Sequence, residues 1–237
     1  MSSSIRHAAR ETSGQVKKAT LQVGVIMLDT RFPRIMGDVG RPDSFLKPAL
    51  TEVATGVRVA DIVRPERASK EAVDTLIGAA QALQRRGADV LTTSCGFLHG
   101  VQGDVARTIN VPFIASSLSL AGQLARQGHR IGLITADAPS LAPALEGIAI
   151  RFIVEGMEGS EAFSNAILAD GNELDSTAIE ADTTLAAQRA ADKGATCILF
   201  ECTNLPPYRA AVAAKAGLPV FDIFDAVESV AKARVRA

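Results

Sequence analysis

The sequence says much of itself twice. Gln81 and Gln188, Gly87 and Gly194, Cys95 and Cys202, and Pro112 and Pro219 each stand 107 residues apart. The run Gly24-Val-Ile-Met-Leu-Asp29 returns as Gly132-Leu-Ile-Thr-Ala-Asp137, at an offset of 108. Landmarks of several residue types sharing one spacing restrict the chain to two similar halves. Each half owns one cysteine that closes an apolar run, Asp89-Val-Leu-Thr-Thr-Ser-Cys95 in the first and Thr196-Cys-Ile-Leu-Phe-Glu-Cys202 in the second.

Short apolar, β-branched runs alternate with segments of helical spacing. Strands are expected at 21–28, 57–63, 89–95, 111–115, 130–137, 150–154, 195–202 and 219–222. Ser69 caps a helix whose apolar face is Val73, Leu76, Ile77, Ala80 and Leu83, with Gly87 as its stop. Further helices are expected at 99–108 and 118–128, within 160–168 and 176–193, after Pro206-Pro207, and from 226 onward. Residues 30–48, with Pro33, Gly37, Gly40 and Pro42, read as a long irregular loop. Strands alternating with helices imply parallel sheets and βαβ crossovers. The expected fold is α/β: two similar, flavodoxin-like lobes related by a pseudo-twofold, each a parallel sheet flanked by helices. The expected boundaries are a loose tail at 1–19, one lobe at 20–117 and a second at 118–223. The C-terminal helix at 224–237 should pack back on the first lobe.

Composition narrows the function. Of 237 residues, 47% are hydrophobic and 22% charged, which supplies a real core. A net charge of −1 and 4% aromatics offer no basic stripe or stacking platform, so nucleic acid is not the expected partner. No apolar run approaches the ~20 residues that span a bilayer. Three cysteines without clustered spacing argue against a disulfide framework or a metal knuckle. The expectation is a cytoplasmic protein with a small-molecule partner, no membrane and no metal, and with room for a homo-oligomer.

Ligands of open α/β sheets bind at the carboxyl ends of the strands. Cys95, Cys202, Asp29, Ser116, Thr135 and Asp222 all fall there. Cys197 lies inside its strand and reads as core. His99 and His129 read as structural, and Tyr208 as cleft cover or packing. A cysteine between a strand and a helix meets free N–H groups and the helix's positive end, which should lower its pKa toward neutrality and bind a carboxylate. Two such thiols across one cleft could move a proton on and off a carbon beside a carboxylate, one as thiolate base and the other as thiol acid. Sulfurs placed for that stand roughly 6–7 Å apart, too far for a disulfide. Thr93, Ser94, Gly96 and Phe97 on one side, and Thr203 and Asn204 on the other, would hold the substrate. Asp29 and Ser116 complete the assignment. Arg31 or Arg34 could meet a second acidic group, and Arg31 is assigned that role.

Thr93-Ser94-Cys95-Gly96 and Glu201-Cys202-Thr203-Asn204 resemble the paired cysteine motifs of the aspartate/glutamate racemase superfamily, over nearly all of the chain after residue 19. That superfamily includes amino-acid and hydantoin racemases, arylmalonate decarboxylases and maleate isomerases. The resemblance implies the two-lobed fold, a cleft, and a cofactor-independent racemase or epimerase of amino-acid metabolism acting on a small carboxylate. The alternatives are a one-cysteine decarboxylase, a cis–trans isomerase of a dicarboxylate, or a non-catalytic protein that binds a small acid. Gly96-Phe97 replace the Asn-Thr that follows the first cysteine of amino-acid racemases, and Asn204 replaces a His or Glu. The resemblance therefore carries the cysteine chemistry and not glutamate or aspartate as substrate.

Overall fold

The computed structural model describes the backbone of residues 21–236 and side chains through residue 230, so the tail expected at 1–19 lies outside the described residues. The first half runs β1 (Val23–Leu28), β2 (Leu50–Ala54), α1 (Val59–Ile62), α2 (Lys70–Arg85), β3 (Val90–Thr93), α3 (Gln102–Ala106) and β4 (Phe113–Ile114). After α4 (Ala121–Arg126), the second runs β5 (Ile131–Thr135), α5 (Ala138–Glu146), β6 (Phe152–Gly156), α6 (Glu161–Phe163), α7 (Ser176–Asp192), β7 (Cys197–Phe200), α8 (Arg209–Ala216) and β8 (Val220–Phe221). The helix α9 (Ile223–Arg236) follows. The two sheets are wholly parallel and share one order, β2-β1-β3-β4 and β6-β5-β7-β8. Their registers match as well: Val23 pairs with Val90, and Ile131 with Cys197. The expected two-lobed α/β fold is the observed one.

The strands are apolar on both faces, as covered parallel sheets require. In β1, Ile26 and Leu28 face α2, where Leu76, Ala80 and Leu83 are fully buried. Burying each leucine contributes about 1.5–3 kcal/mol. Val25 and Met27 point the other way and share a core with Ile131, Leu133, Cys197 and Leu199 of the second sheet. The sheets thus pack on each other through their inner faces. Ile134, Ile198 and Phe200 turn outward to α7. The glycines at matching places are there for space. A Cβ on Gly24 would lie 2.6 Å from Leu91, and one on Gly132 would lie 2.9 Å from Ala190. Both mark where a long helix crosses its first strand.

Ser69 caps α2, its Oγ accepting the Ala72 N–H at 3.2 Å, which contributes about 1 kcal/mol. Gly87 and Gly194 follow the ends of α2 and α7 with φ of 86° and 94°. Two expectations fail. The strand expected at 57–63 is helix α1, and the strand is β2. Gly56, at φ 82°, turns the chain, and Asp61 Oδ2 accepts the Arg58 N–H at 2.8 Å to start the helix. Helix α5 had no counterpart in the sequence reading, because Pro139 and Pro143 mask it. Pro139 stands in the first turn, where a missing N–H costs nothing, and Asp137 caps the Ser140 N–H at 2.7 Å.

Candidate active site

β3 and β7 end alike. The Ser94 N–H reaches the Ile26 carbonyl at 2.9 Å, and the Glu201 N–H reaches the Ile134 carbonyl at 2.8 Å. Each strand then gives a cysteine whose carbonyl accepts a turn-forming bond, Leu98 N–H to Cys95 at 3.2 Å and Leu205 N–H to Cys202 at 3.3 Å. Cys95 leads into a 3₁₀ turn, Gly96–Val101. Both cysteines line one small, partly open pocket between the two halves. All three cysteines are free thiols.

Ser94, Gly96, Phe97, Thr203 and Asn204 line that pocket with the cysteines, as expected. The four other assigned residues are not among its lining residues. Asp29 accepts the Gly56 N–H at 2.8 Å and anchors the turn before α1. Arg31 is 70% exposed and pairs with Asp170 at 3.3 Å. Thr93 Oγ1 lies 2.9 Å from the Ala115 carbonyl and accepts the Cys95 N–H at 3.3 Å, which holds the turn. Ser116 Oγ accepts the Leu118 N–H at 3.3 Å as a cap. The arginine that turns inward is Arg34, three residues further along the loop. Its guanidinium stacks 4.4 Å above the Phe32 ring.

Arg34 heads a chain of contacts that ends on a thiol. Arg34 Nη1 donates to Asp38 Oδ1 at 2.6 Å, and its other amino group donates to Thr30 Oγ1 at 3.0 Å. Asn204 Nδ2 donates to Asp38 Oδ2 at 2.8 Å. That bond fixes the amide, so Asn204 Oδ1 faces Cys202 and accepts from its Sγ–H at 3.7 Å. An acceptor at this place favours the neutral thiol. Asp38 and Glu201 are site residues that the sequence reading did not assign. A charged residue closing the buried run Cys197-Ile-Leu-Phe200 was the available signal for Glu201.

The expected thiolates are not the resting forms. Burial pushes the Cys95 thiol up to about 12, and the charge of Glu201 adds to that, while the Phe97 and Leu98 N–H groups and Arg34 pull it down. Burial likewise raises Cys202 well above an ordinary thiol; the Asn204 N–H opposes this, and Glu201, Cys95 and Asp38 add to it. A single 3₁₀ turn aligns few peptide dipoles, so desolvation wins. Glu201 itself is fully buried. Its Oε2 accepts from Thr135 Oγ1 at 2.8 Å, and its Oε1 has no hydrogen-bond partner. Thr203 Oγ1, also buried, has none either.

Gly96 is one of the places where the halves touch. A Cβ there would collide with the Glu201 carbonyl oxygen and with Glu201 Oε1. Gly96→Ala should therefore lower unfolding stability by about 1–3 kcal/mol in a urea titration. Gly100→Ala is the control, since its Cβ would meet nothing within 4 Å. Equal losses for both would show that the turn, not the contact with Glu201, sets the cost.

The site is thus a duplicated α/β fold with one strand-end thiol from each half on a shared pocket. The chain belongs to the Asp/Glu/hydantoin racemase family, whose family model matches residues 43–231. It is 32% identical over 225 residues to dimethylsulfoniopropionate lyase 7 of Emiliania huxleyi, covering 87% of this chain and 65% of that one. It is 31% identical over 222 residues to dimethylsulfoniopropionate lyase of Durusdinium sp. clade D, covering 87% and 72%. The chain thus spans about two thirds of these relatives' length. Allantoin racemase from Pseudomonas fluorescens shares the fold with a TM-score of 0.61 at 16% identity, covering 91% of each chain. Arylmalonate decarboxylase shares it with a TM-score of 0.52 at 16% identity, covering 86% and 91%.

Proposed function

We propose that this protein is a cofactor-independent lyase of a small carboxylate, with Cys95 as base. The observation that carries the reading is the inequality of the two thiols. Asn204 Oδ1 holds Cys202 protonated, whereas Cys95 meets the N–H groups of Phe97 and Leu98 and the positive Arg34. A two-base racemase needs its thiols to exchange roles, and a fixed acceptor at one of them favours a single direction. The names of the relatives point the same way.

Dimethylsulfoniopropionate carries a sulfonium on the carbon beyond the one that bears the acidic hydrogen. Cys95 thiolate takes the proton from the carbon next to the carboxylate. That C–H pair becomes the new C=C bond, the C–S bond breaks, and its electrons leave on dimethyl sulfide. Acrylate and a neutral Cys95 thiol remain, and the thiol returns its proton to solvent. Charge grows on the substrate carboxylate as the proton leaves. Arg34, the unpartnered Thr203 hydroxyl and the Cys202 thiol are the donors available to it. Phe32 and Phe97 line the pocket in which the sulfonium would lie, with Arg34 already over the Phe32 ring. Free thiols suit the reducing cytoplasm, and among the described residues no helix is long and apolar enough to cross a membrane.

The duplicated cysteines keep a second reading, a racemase or epimerase. One experiment separates the two. The protein is incubated in D₂O with dimethylsulfoniopropionate, amino acids, hydantoins and dicarboxylates, and the products are followed by NMR. Acrylate with dimethyl sulfide is the expected result. Deuterium at the carbon beside the carboxylate with inversion and no elimination would make it a racemase. Binding without exchange or products would make it a sensor of small acids.

A further inference from the structure

We propose that Glu201 is a positioning residue for the Cys95 base: around neutral pH the carboxyl and thiol hold one negative charge between them, so the rise of the thiolate fraction with pH breaks once the pair has lost its first proton. This rests on the reading of Cys95 as the base. Glu201 follows β7 in the second half, yet Gly96, the residue after Cys95, lies directly against its carboxyl. Only a residue without a side chain fits there. The carboxyl is fully buried, with Thr135 on Oε2 and nothing on Oε1. The ionisable groups around this pocket are Cys95 from the turn after β3, Cys202 beside Glu201, and Arg34 and Asp38 from the loop after β1, the last two bonded to each other. No salt bridge to Glu201 is present among the described residues. A thiolate beside a buried carboxylate would be repelled more strongly than in bulk water.

The two groups therefore titrate as a unit. Burial raises the Glu201 carboxyl to about 7, and the first proton leaves there. The second leaves only near the thiol's value of about 12. Between these limits the single charge moves by internal transfer, directly or through one water. The Cys95 S–H bond breaks, an O–H bond forms at Glu201 Oε1, and the charge passes from oxygen to sulfur. The otherwise unpartnered Oε1 is the atom on which that proton rests. Below about pH 7 the thiolate fraction climbs about tenfold per pH unit; above it the climb pauses over a span set by the repulsion between the two charges, and then resumes.

The test is the alkylation rate of Cys95 by iodoacetamide against pH, read by peptide mass spectrometry on the full chain. The wild-type rate should climb and then break to a plateau near pH 7. In Glu201→Gln, which keeps an acceptor for Thr135, the rate should climb through pH 7 without a break and exceed wild type by about tenfold or more at about pH 9, as for groups that interact by more than about one pK unit. A wild-type profile with no break, or the same break in E201Q, would overturn the proposal. Alkylation needs no turnover, so the outcome is separate from the lyase reading. A break that E201Q removes, in a protein that releases no acrylate, sinks the lyase and leaves the pair. Melting gives a second readout. A folded carboxyl raised above its ordinary value keeps a proton that the unfolded chain has lost. Wild-type stability is therefore full below the ordinary carboxylate range and falls as pH rises through about 7. E201Q should melt with wild type at about pH 4 and above it at about pH 8. Equal melting at both would show that Glu201 is not held neutral and would also overturn the proposal.

Discussion

Cys95→Ala is expected to lose at least about 10²–10⁴-fold in kcat, and deuterium exchange at the acidic carbon should vanish with it. In barrier terms this is about 3–5.5 kcal/mol. The reason is local. On the proposed reading, Cys95 is the base because it combines the N–H groups of its turn with the neighbouring Arg34. Cys202→Ala distinguishes the mechanisms. In a lyase with one base it slows elimination but leaves measurable exchange, whereas in a two-base racemase it removes inversion as fully as Cys95→Ala does. Cys197→Ala should leave the rate intact, since its side chain lies in the core between the sheets. Full activity in Cys95→Ala would end the assignment of the base.

Asp38→Ala should lower stability by about 3–5 kcal/mol, the cost of removing one partner from a buried ion pair. Arg34 is 12% exposed and Asp38 5%. The carboxylate serves Arg34, the Gly40 N–H at 2.7 Å and the Asn204 amide at once. Alanine would leave a guanidinium held only by Thr30 Oγ1 and the Phe32 ring. It would also free the Asn204 amide to rotate, so that an N–H could face Cys202 in place of the carbonyl oxygen. Asp38→Asn keeps one acceptor oxygen and loses the charge and the other acceptor, and should fall between alanine and wild type. Denaturant titration measures the stability, and kcat/KM on the same proteins measures the effect on Cys202. A loss under about 1 kcal/mol for alanine would mean that the pair behaves as a surface ion pair.

The halves, their sheets and the two strand-end thiols were legible because repetition and short continuous apolar runs are properties of the sequence alone. The loop after β1 was not. Arg31 and Arg34 stand in the same stretch with the same charge, and which one turns inward depends on Asp170 capturing the first and Asp38 the second. Asp170 is 139 residues away from Arg31, and no local pattern announces that meeting. Thr93 and Ser116 sat at the correct strand ends, but their hydroxyls are taken by backbone groups, a choice made by tertiary packing. The thiol pKa values failed for a related reason. Placement before a turn is visible in the sequence, but the depth of burial is not. Glu201 stood in view inside the second cysteine motif, and its meaning emerged only when Gly96 of the other half was found against it.

The core shared by the inner faces of the two sheets bears on how the site fills. Val25, Met27, Ile131, Leu133 and Leu199 belong to one apolar body, and Ser117 Oγ donates to the Phe200 carbonyl at 2.7 Å across it. Prising the halves apart would wet that body and cost the apolar area it exposes. The loop after β1 meets the second half through the polar contacts Arg31–Asp170 and Asp38–Asn204. On the proposed reading, this loop is the part that can open at the smaller cost. Lifting it parts Asn204 from Asp38 and loosens the contact that keeps Cys202 protonated. The acid is therefore fully set only while the door is shut.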